Sequence, residues 1–84
     1  MKPLDALDAS VLEACITGAT LNQIVMWPAG SAEADALYRL RERGLLGSGT
    51  FQHADGGMVD YFPPLPAART ALACFQALTK GIQP

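Results

Sequence analysis

The tripeptide Pro28-Ala29-Gly30 limits the fold of this chain more than any other feature, because no regular helix continues through it. Upstream, the capping-box pattern Thr20-x-x-Gln23 predicts a short helix over residues 20–27. Downstream, Ser31 is a favourable N-cap for a helix over residues 32–43. Two helices that meet at a tight turn containing glycine are typical of a helix-turn-helix motif.

Helical periodicity predicts a first and a last helix on either side of this motif. The first begins near Asp8, a good N-cap residue, and stops at Gly18, while the last covers residues 67–80. Gly44 is expected to end the helix over residues 32–43. The positions predicted to face the core are Leu4, Leu7, Val11, Leu12, Cys15, Ile16, Leu21, Ile24, Val25, Ala36, Leu37, Leu40, Leu45, Leu46, Ala68, Ala71, Leu72, Phe75 and Leu78.

The pattern changes after the third predicted helix. Residues 50–54 and 58–62 are rich in β-forming residues and flank Asp55-Gly56-Gly57, whose residues readily take positive φ, so we expect a hairpin. The fold class is then mainly α with a small β-hairpin (α+β). In detail, we expect a winged helix-turn-helix with four helices and a two- or three-stranded wing sheet, in a single domain over residues 1–84.

The sequence offers little for catalysis or metal binding. His53 is the single histidine and lies in the predicted hairpin beside Asp55, and no serine or cysteine pattern identifies a nucleophile. Cys15 and Cys74 are too far apart in sequence for a metal-binding pair, and both are expected to be buried free thiols. We therefore expect a protein that is not an enzyme and that has no cofactor and no metal site.

The same sequence carries no sign of a membrane or export signal. It has no apolar run long enough to span a bilayer, and its first residues lack the pattern of a signal peptide. The sequence therefore predicts no membrane association, and the two expected free thiols favour a cytoplasmic location.

Residues 36–46 read Ala-Leu-Tyr-Arg-Leu-Arg-Glu-Arg-Gly-Leu-Leu and contain the pattern Leu-x-x-Leu-x-x-x-Gly-Leu. Tyr61-Phe62 ends the second predicted strand, and Arg69-Thr70-Ala71-Leu72 lies in the last helix. In these features the chain resembles MarR- and PadR-type winged-helix regulators over roughly residues 8–75. The resemblance implies a transcriptional regulator that places its third helix, residues 32–43, in the major groove of DNA. The helices predicted in residues 1–84 do not include the long dimerisation helices typical of those families.

The face of the third helix that points away from the core is the predicted contact surface. Arg39 suits a guanine edge or a phosphate, whereas Asp35 and Glu42 oppose approach to a polyanion. The hairpin adds only His53 as a group that can be positively charged. The candidate DNA- or partner-binding residues are Ser31, Ala34, Asp35, Tyr38, Arg39, Arg41, Glu42, Arg43 and His53.

The net charge of −2 leaves two functions open. A DNA-binding domain usually carries a basic excess, so binding of double-stranded DNA is expected to be weak unless the protein forms a homodimer, for which the last helix is the candidate. The alternative is a protein-interaction module, an adaptor or an inhibitor, that uses the same winged-helix fold. Trp27, Tyr38 and Phe51 are then candidate exposed anchors.

Overall fold

The computed structural model of the chain describes residues 4–52 and 54–82. The elements are α1 (Ala6–Thr20), α2 (Ala32–Glu42), β1 (Gly49–Gln52), β2 (Met58–Tyr61) and α3 (Pro66–Ile82). The two strands form an antiparallel hairpin. The predicted α+β class is confirmed, whereas the described residues form three helices rather than the expected four.

α1 begins earlier than its sequence predicts. Its N-cap is Asp5, whose carboxylate accepts a hydrogen bond of 2.7 Å from the backbone N–H of Asp8. Asp8 is therefore not the N-cap; it lies in the first turn, where a negative charge favours the helix N-terminus. The prediction that Gly18 stops the helix is also wrong, because α1 passes through Gly18 and continues to Thr20.

Asn22 determines how α1 ends. Its φ is +59°, a left-handed conformation that asparagine tolerates better than most residues. The N–H of Asn22 donates to the carbonyl of Ala19 at 3.1 Å, and the N–H of Gln23 donates to the carbonyl of Gly18 at 2.7 Å. These two bonds form the Schellman motif that closes many helices and turns the chain away from the helix axis.

The helix predicted over residues 20–27 does not form, and the reason is local. The Thr20 hydroxyl donates to the carbonyl of Ile16 at 3.0 Å instead of accepting a hydrogen bond from the backbone that follows it. The hydroxyl is thus used inside α1, and residues 23–28 have no regular secondary structure. Leu21 and Ile24, which this helix would have buried, are exposed.

α2 follows its sequence signals. The Ser31 hydroxyl accepts a hydrogen bond of 3.1 Å from the N–H of Ala34, as an N-cap does. At the other end, Gly44 has a φ of +77° and donates its N–H to the carbonyl of Arg41 at 3.0 Å. The predicted cap and the predicted end of this helix are both confirmed.

The hairpin forms in the predicted region, with Gly49 opposite Tyr61 in the register. A Cβ at position 49 would lie 2.6 Å from the Tyr61 ring, so a larger residue there would have to displace this ring. The pairing continues towards the core as an isolated bridge between Leu46 and Pro64. Because Leu46 is buried, this bridge ties the base of the hairpin to the packed helices.

The core lies between the three helices and the two leucines that follow α2. Its buried apolar residues are Leu4, Ala9, Val11, Leu12, Cys15, Ile16, Ala34, Ala36, Leu40, Leu45, Leu46, Ala68 and Leu72. Leu37, Ala71 and Phe75 pack against them and are partly buried. Most of the predicted core positions are thus confirmed.

Three core predictions on the outer parts of α1 and α3 are wrong. Leu7 and Leu78 are exposed, and Cys74, which was expected to be buried, is an exposed free thiol. The apolar stripe of α3 is buried at Ala68 and Leu72, so the packing of this helix ends before its last turns. Cys15 is the buried free thiol that the sequence predicts.

Candidate functional site

The outer face of α2 lies where helical periodicity places it, with one exception. Asp35, Tyr38 and Glu42 are exposed. Ala34 was predicted to share this face but is buried, because the chain leading into α2, including Trp27, lies beside the first turn of the helix. Ser31 is half-buried, and its hydroxyl is used by the cap.

Arg39 reaches back to α1. Its Nη2 atom donates a hydrogen bond of 2.6 Å to Oδ1 of Asp8, and the two side chains form an ion pair. Asp8 is buried, whereas the Arg39 side chain remains 48% exposed. The hydrogen bond to Asp8 is the largest cause that raises the pKa of Arg39 above its ordinary value. Arg39, whose guanidinium is expected to contact a guanine edge, thus forms an ion pair within the chain.

Tyr38, Arg41 and Phe62 form an aromatic–arginine cluster between α2 and the end of β2. The guanidinium carbon of Arg41 lies 5.2 Å from the ring centroid of Tyr38 and 5.6 Å from that of Phe62. The two rings meet edge to face, with their centroids 5.3 Å apart at an angle of 71°. Tyr38 is 50% exposed, so the cluster combines an open surface with fixed contacts.

Phe62 is the member of this cluster that sequence reasoning missed. The aromatic pair Tyr61-Phe62 at the end of the second strand was noted only as part of a family resemblance. Phe62 packs partly buried against the core, and its ring also forms one side of the Arg41 site. The sequence does contain a signal for this contact, because Phe62 directly follows the predicted strand and the preceding helix is rich in arginine.

The other candidate residues lie outside this cluster. Arg43 is the C-cap of α2 and is half-buried. Trp27 packs partly buried against the core instead of standing as an exposed anchor. The prediction for His53 lies outside the described residues, as does the prediction for the side chain of Phe51.

Residues 23–27, which we call the edge segment, form a second exposed feature that the sequence reasoning missed. Gln23 is exposed, and from Ile24 to Trp27 the burial alternates: Ile24 and Met26 are exposed by 44% and 56%, whereas Val25 and Trp27 are half-buried. Val25 faces α1, since a Cβ added at Gly18 would lie 2.6 Å from its Cγ2 atom. This alternation does not follow the period of a helix, and residues 23–28 have no regular secondary structure.

An open cleft of about 350 Å³ lies between the edge segment, α1 and the end of β2. Cys15, Ile24, Phe62 and Pro63 form part of its wall. Burial raises the pKa of the Cys15 thiol to about 11, so this thiol is neutral near pH 7 and is a poor nucleophile. The cleft therefore offers apolar contact beside an inert thiol.

Among residues 4–52 and 54–82, no group of three or more His, Cys, Asp or Glu side chains is placed to hold a metal ion. Within those residues, no helix combines the length and the apolar character needed to cross a bilayer.

Comparisons of the chain with protein-family models, with curated proteins and with solved structures found no match. The function of this chain is therefore inferred from the residues exposed on α2 and from their contacts.

Proposed function

We propose that this chain is a protein-interaction module that contacts its partner through the outer face of α2. The observation that carries the proposal is the Tyr38–Arg41–Phe62 cluster. Tyrosine and arginine are enriched among the residues that dominate the energetics of protein interfaces. Here the ring of Tyr38 and the guanidinium of Arg41 are held by each other and by Phe62, so less side-chain entropy is lost on binding.

The charges around the cluster support a protein partner over DNA. Asp35 and Glu42 are exposed on the same helix, and each carboxylate would face the phosphates of a duplex. Arg39 has its charge partnered by Asp8. The net charge of −2 supplies none of the basic excess that most DNA-binding domains use.

We infer a winged-helix relationship as part of the same proposal. The order helix, connecting segment, helix, hairpin and helix supports it, as does the resemblance of residues 36–46 to MarR- and PadR-type regulators. In this reading the edge segment stands where a helix-turn-helix protein has its second helix. The free thiols of Cys15 and Cys74 support action in the cytoplasm, where thiols stay reduced.

A transcriptional regulator that binds double-stranded DNA is the second candidate. Arg41 favours it, because this residue is exposed on α2 and its guanidinium lies against two aromatic rings. An exposed arginine on such a helix suits contact with a phosphate or a guanine edge. Homodimerisation through α3, which exposes Leu78, would strengthen this binding and stays a prediction.

The test is a capture experiment with matched variants. Immobilised wild-type chain, Tyr38→Ala and Glu13→Ala are incubated with nuclease-treated lysate of the source cells, and the bound proteins are identified by mass spectrometry. Glu13 is the control, since it is exposed on a different helix. The proposal expects a protein that wild type and Glu13→Ala retain and Tyr38→Ala loses by at least about tenfold. Finding no protein whose capture depends on Tyr38 contradicts it.

A DNA titration distinguishes the two candidates. Binding to a labelled duplex of mixed sequence is followed by fluorescence anisotropy at low salt, where phosphate contacts are strongest. The protein-interaction proposal expects no binding that depends on α2. Binding that is lost in Arg41→Ala, in a variant that keeps the wild-type circular dichroism spectrum, would establish the DNA-binding candidate in its place.

A further inference from the structure

A second open cleft, of about 240 Å³, lies between the chain leading into α2, the first two turns of α2 and the end of β2. Four aromatic and two acidic residues form part of its wall: Trp27, Asp35, Tyr38, Asp60, Tyr61 and Phe62. We call it the aromatic cleft. Of the described residues that line it, none is lysine, arginine or histidine. Aromatic rings together with carboxylates attract a cation.

The two carboxylates of the aromatic cleft come from different elements. Asp35 lies in the first turn of α2 and Asp60 lies in β2, and both residues are exposed. Within the described part of the chain, neither of them forms an ion pair, and the nearby cation Arg39 is paired with Asp8. Both negative charges are therefore available to a cation that enters the cleft.

Arg41 shows which kind of cation these rings accept. Its guanidinium carbon lies 5.2 Å from the ring centroid of Tyr38 and 5.6 Å from that of Phe62, although Arg41 itself does not line the aromatic cleft. A guanidinium is planar and more weakly hydrated than the ammonium of lysine, so it stacks more readily on aromatic rings. The charges of Asp35 and Asp60 outweigh the repulsion from Arg41, since two carboxylates stand against one guanidinium.

We propose that the aromatic cleft binds an arginine side chain of the protein partner. The proposal rests on the α2 face as the contact surface and adds the chemistry of the residue that this face binds. The guanidinium of the partner stacks on the rings of Tyr38 and Phe62, and the carboxylates of Asp35 and Asp60 supply its hydrogen-bond acceptors.

Trp27 reports on the cleft, since it is the single tryptophan of the chain and forms part of the wall. The isotope-labelled chain is titrated with N-acetyl-arginine amide at constant ionic strength, and the indole N–H signal is followed by NMR. N-acetyl-citrulline amide is the matched probe, because it has nearly the same shape and no charge. We expect a saturable shift with a dissociation constant on the order of 10 mM for the arginine probe, and binding of the citrulline probe at least about fivefold weaker.

Single charge-removing variants test the two carboxylates. Asp35→Asn and Asp60→Asn each keep the size of the side chain, and both residues are exposed, so both variants should keep the wild-type circular dichroism spectrum. Glu13→Gln is the control, since it removes one charge from an exposed residue of α1 outside the cleft. We expect each aspartate variant to bind the arginine probe at least about threefold more weakly than Glu13→Gln does.

Three results overturn the proposal: an indole signal that the arginine probe does not shift, equal binding of the two probes, or aspartate variants that bind as tightly as Glu13→Gln. Each of them leaves the α2 proposal standing, because capture that depends on Tyr38 is measured separately. Conversely, a failure of Tyr38-dependent capture with a successful titration would contradict the α2 proposal and not the binding of arginine in the cleft.

Discussion

The guanidinium of Arg39 on α2 lies 2.6 Å from the carboxylate of Asp8 on α1, although the two residues are 31 positions apart in sequence. The pair joins the first turn of one helix to the outer face of another. It supplies the buried carboxylate with a counter-charge, and it withdraws a cation from the surface that a DNA duplex would contact.

The first prediction concerns this ion pair. Arg39→Ala should lower the urea midpoint of unfolding more than Arg41→Ala does, because it leaves the Asp8 carboxylate buried without its partner. Asp8→Asn in the Arg39→Ala background should recover part of the loss, since it removes the unpaired charge. Equal midpoints for Arg39→Ala and Arg41→Ala would show that the pair does not support the fold.

The second prediction concerns the end of α1. Asn22 has a φ of +59°, which a β-branched residue adopts only with strain. Asn22→Val should lower the free energy of unfolding by about 1–2 kcal/mol, and Asn22→Gly should leave it unchanged or raise it by a few tenths of a kcal/mol. Urea denaturation measures both. A valine variant as stable as wild type would mean that α1 does not end in a Schellman motif.

The third prediction concerns the contact between Gly18 and Val25. Alanine is a better helix former than glycine by about 1 kcal/mol, but its Cβ would lie 2.6 Å from Val25 Cγ2 and 3.0 Å from the Gln23 carbonyl oxygen. Gly18→Ala should therefore destabilise the chain by about 1–3 kcal/mol. In a Val25→Ala background the cost should fall by at least about 1 kcal/mol. Additive effects in this double-mutant cycle would place Val25 away from α1.

The fourth prediction concerns the two thiols. In the folded chain at pH 8, a thiol reagent such as DTNB should label Cys74, which is exposed, and should label Cys15 only after denaturant is added. The single-thiol variants Cys15→Ser and Cys74→Ser assign the two reactions. Rapid labelling of Cys15 in the folded chain would contradict its burial.

A pH dependence follows from the same burial. The pKa of Cys15 in the folded chain, about 11, lies above that of an unfolded thiol, so the protonated thiol favours folding. Its contribution is complete below the unfolded value and is lost as pH rises from about 9 through about 11. Wild type should therefore lose more stability over this window than Cys15→Ala does.

Elements with strong local signals were predictable from the sequence. Ser31 and Gly44 bound α2 because a cap and a left-handed glycine act through neighbouring backbone groups. The hairpin forms around Asp55-Gly56-Gly57 for a similar reason: Gly56 has a φ of +94°, and the Asp55 carboxylate accepts from the N–H of Gly57 at 2.9 Å.

The sequence-based predictions are wrong where one side chain can form either of two local hydrogen bonds, or where residues far apart in sequence come into contact. Thr20 can cap a following helix or bond back to Ile16, and the capping box does not distinguish these. Arg39 was predicted as a surface cation because its partner, Asp8, lies far away in sequence. The cluster at Arg41 depends in the same way on Phe62, which is brought there by the hairpin.

The absence of a helix over residues 23–28 is what separates this structure from the helix-turn-helix that the sequence predicts. NMR secondary shifts of the Cα and Cβ atoms of residues 23–27 test it most directly. Shifts without a helical run over residues 23–27, with Asn22 in the left-handed region, are the result expected from the structure. A continuous run of helical shifts from Thr20 to Trp27 would contradict it.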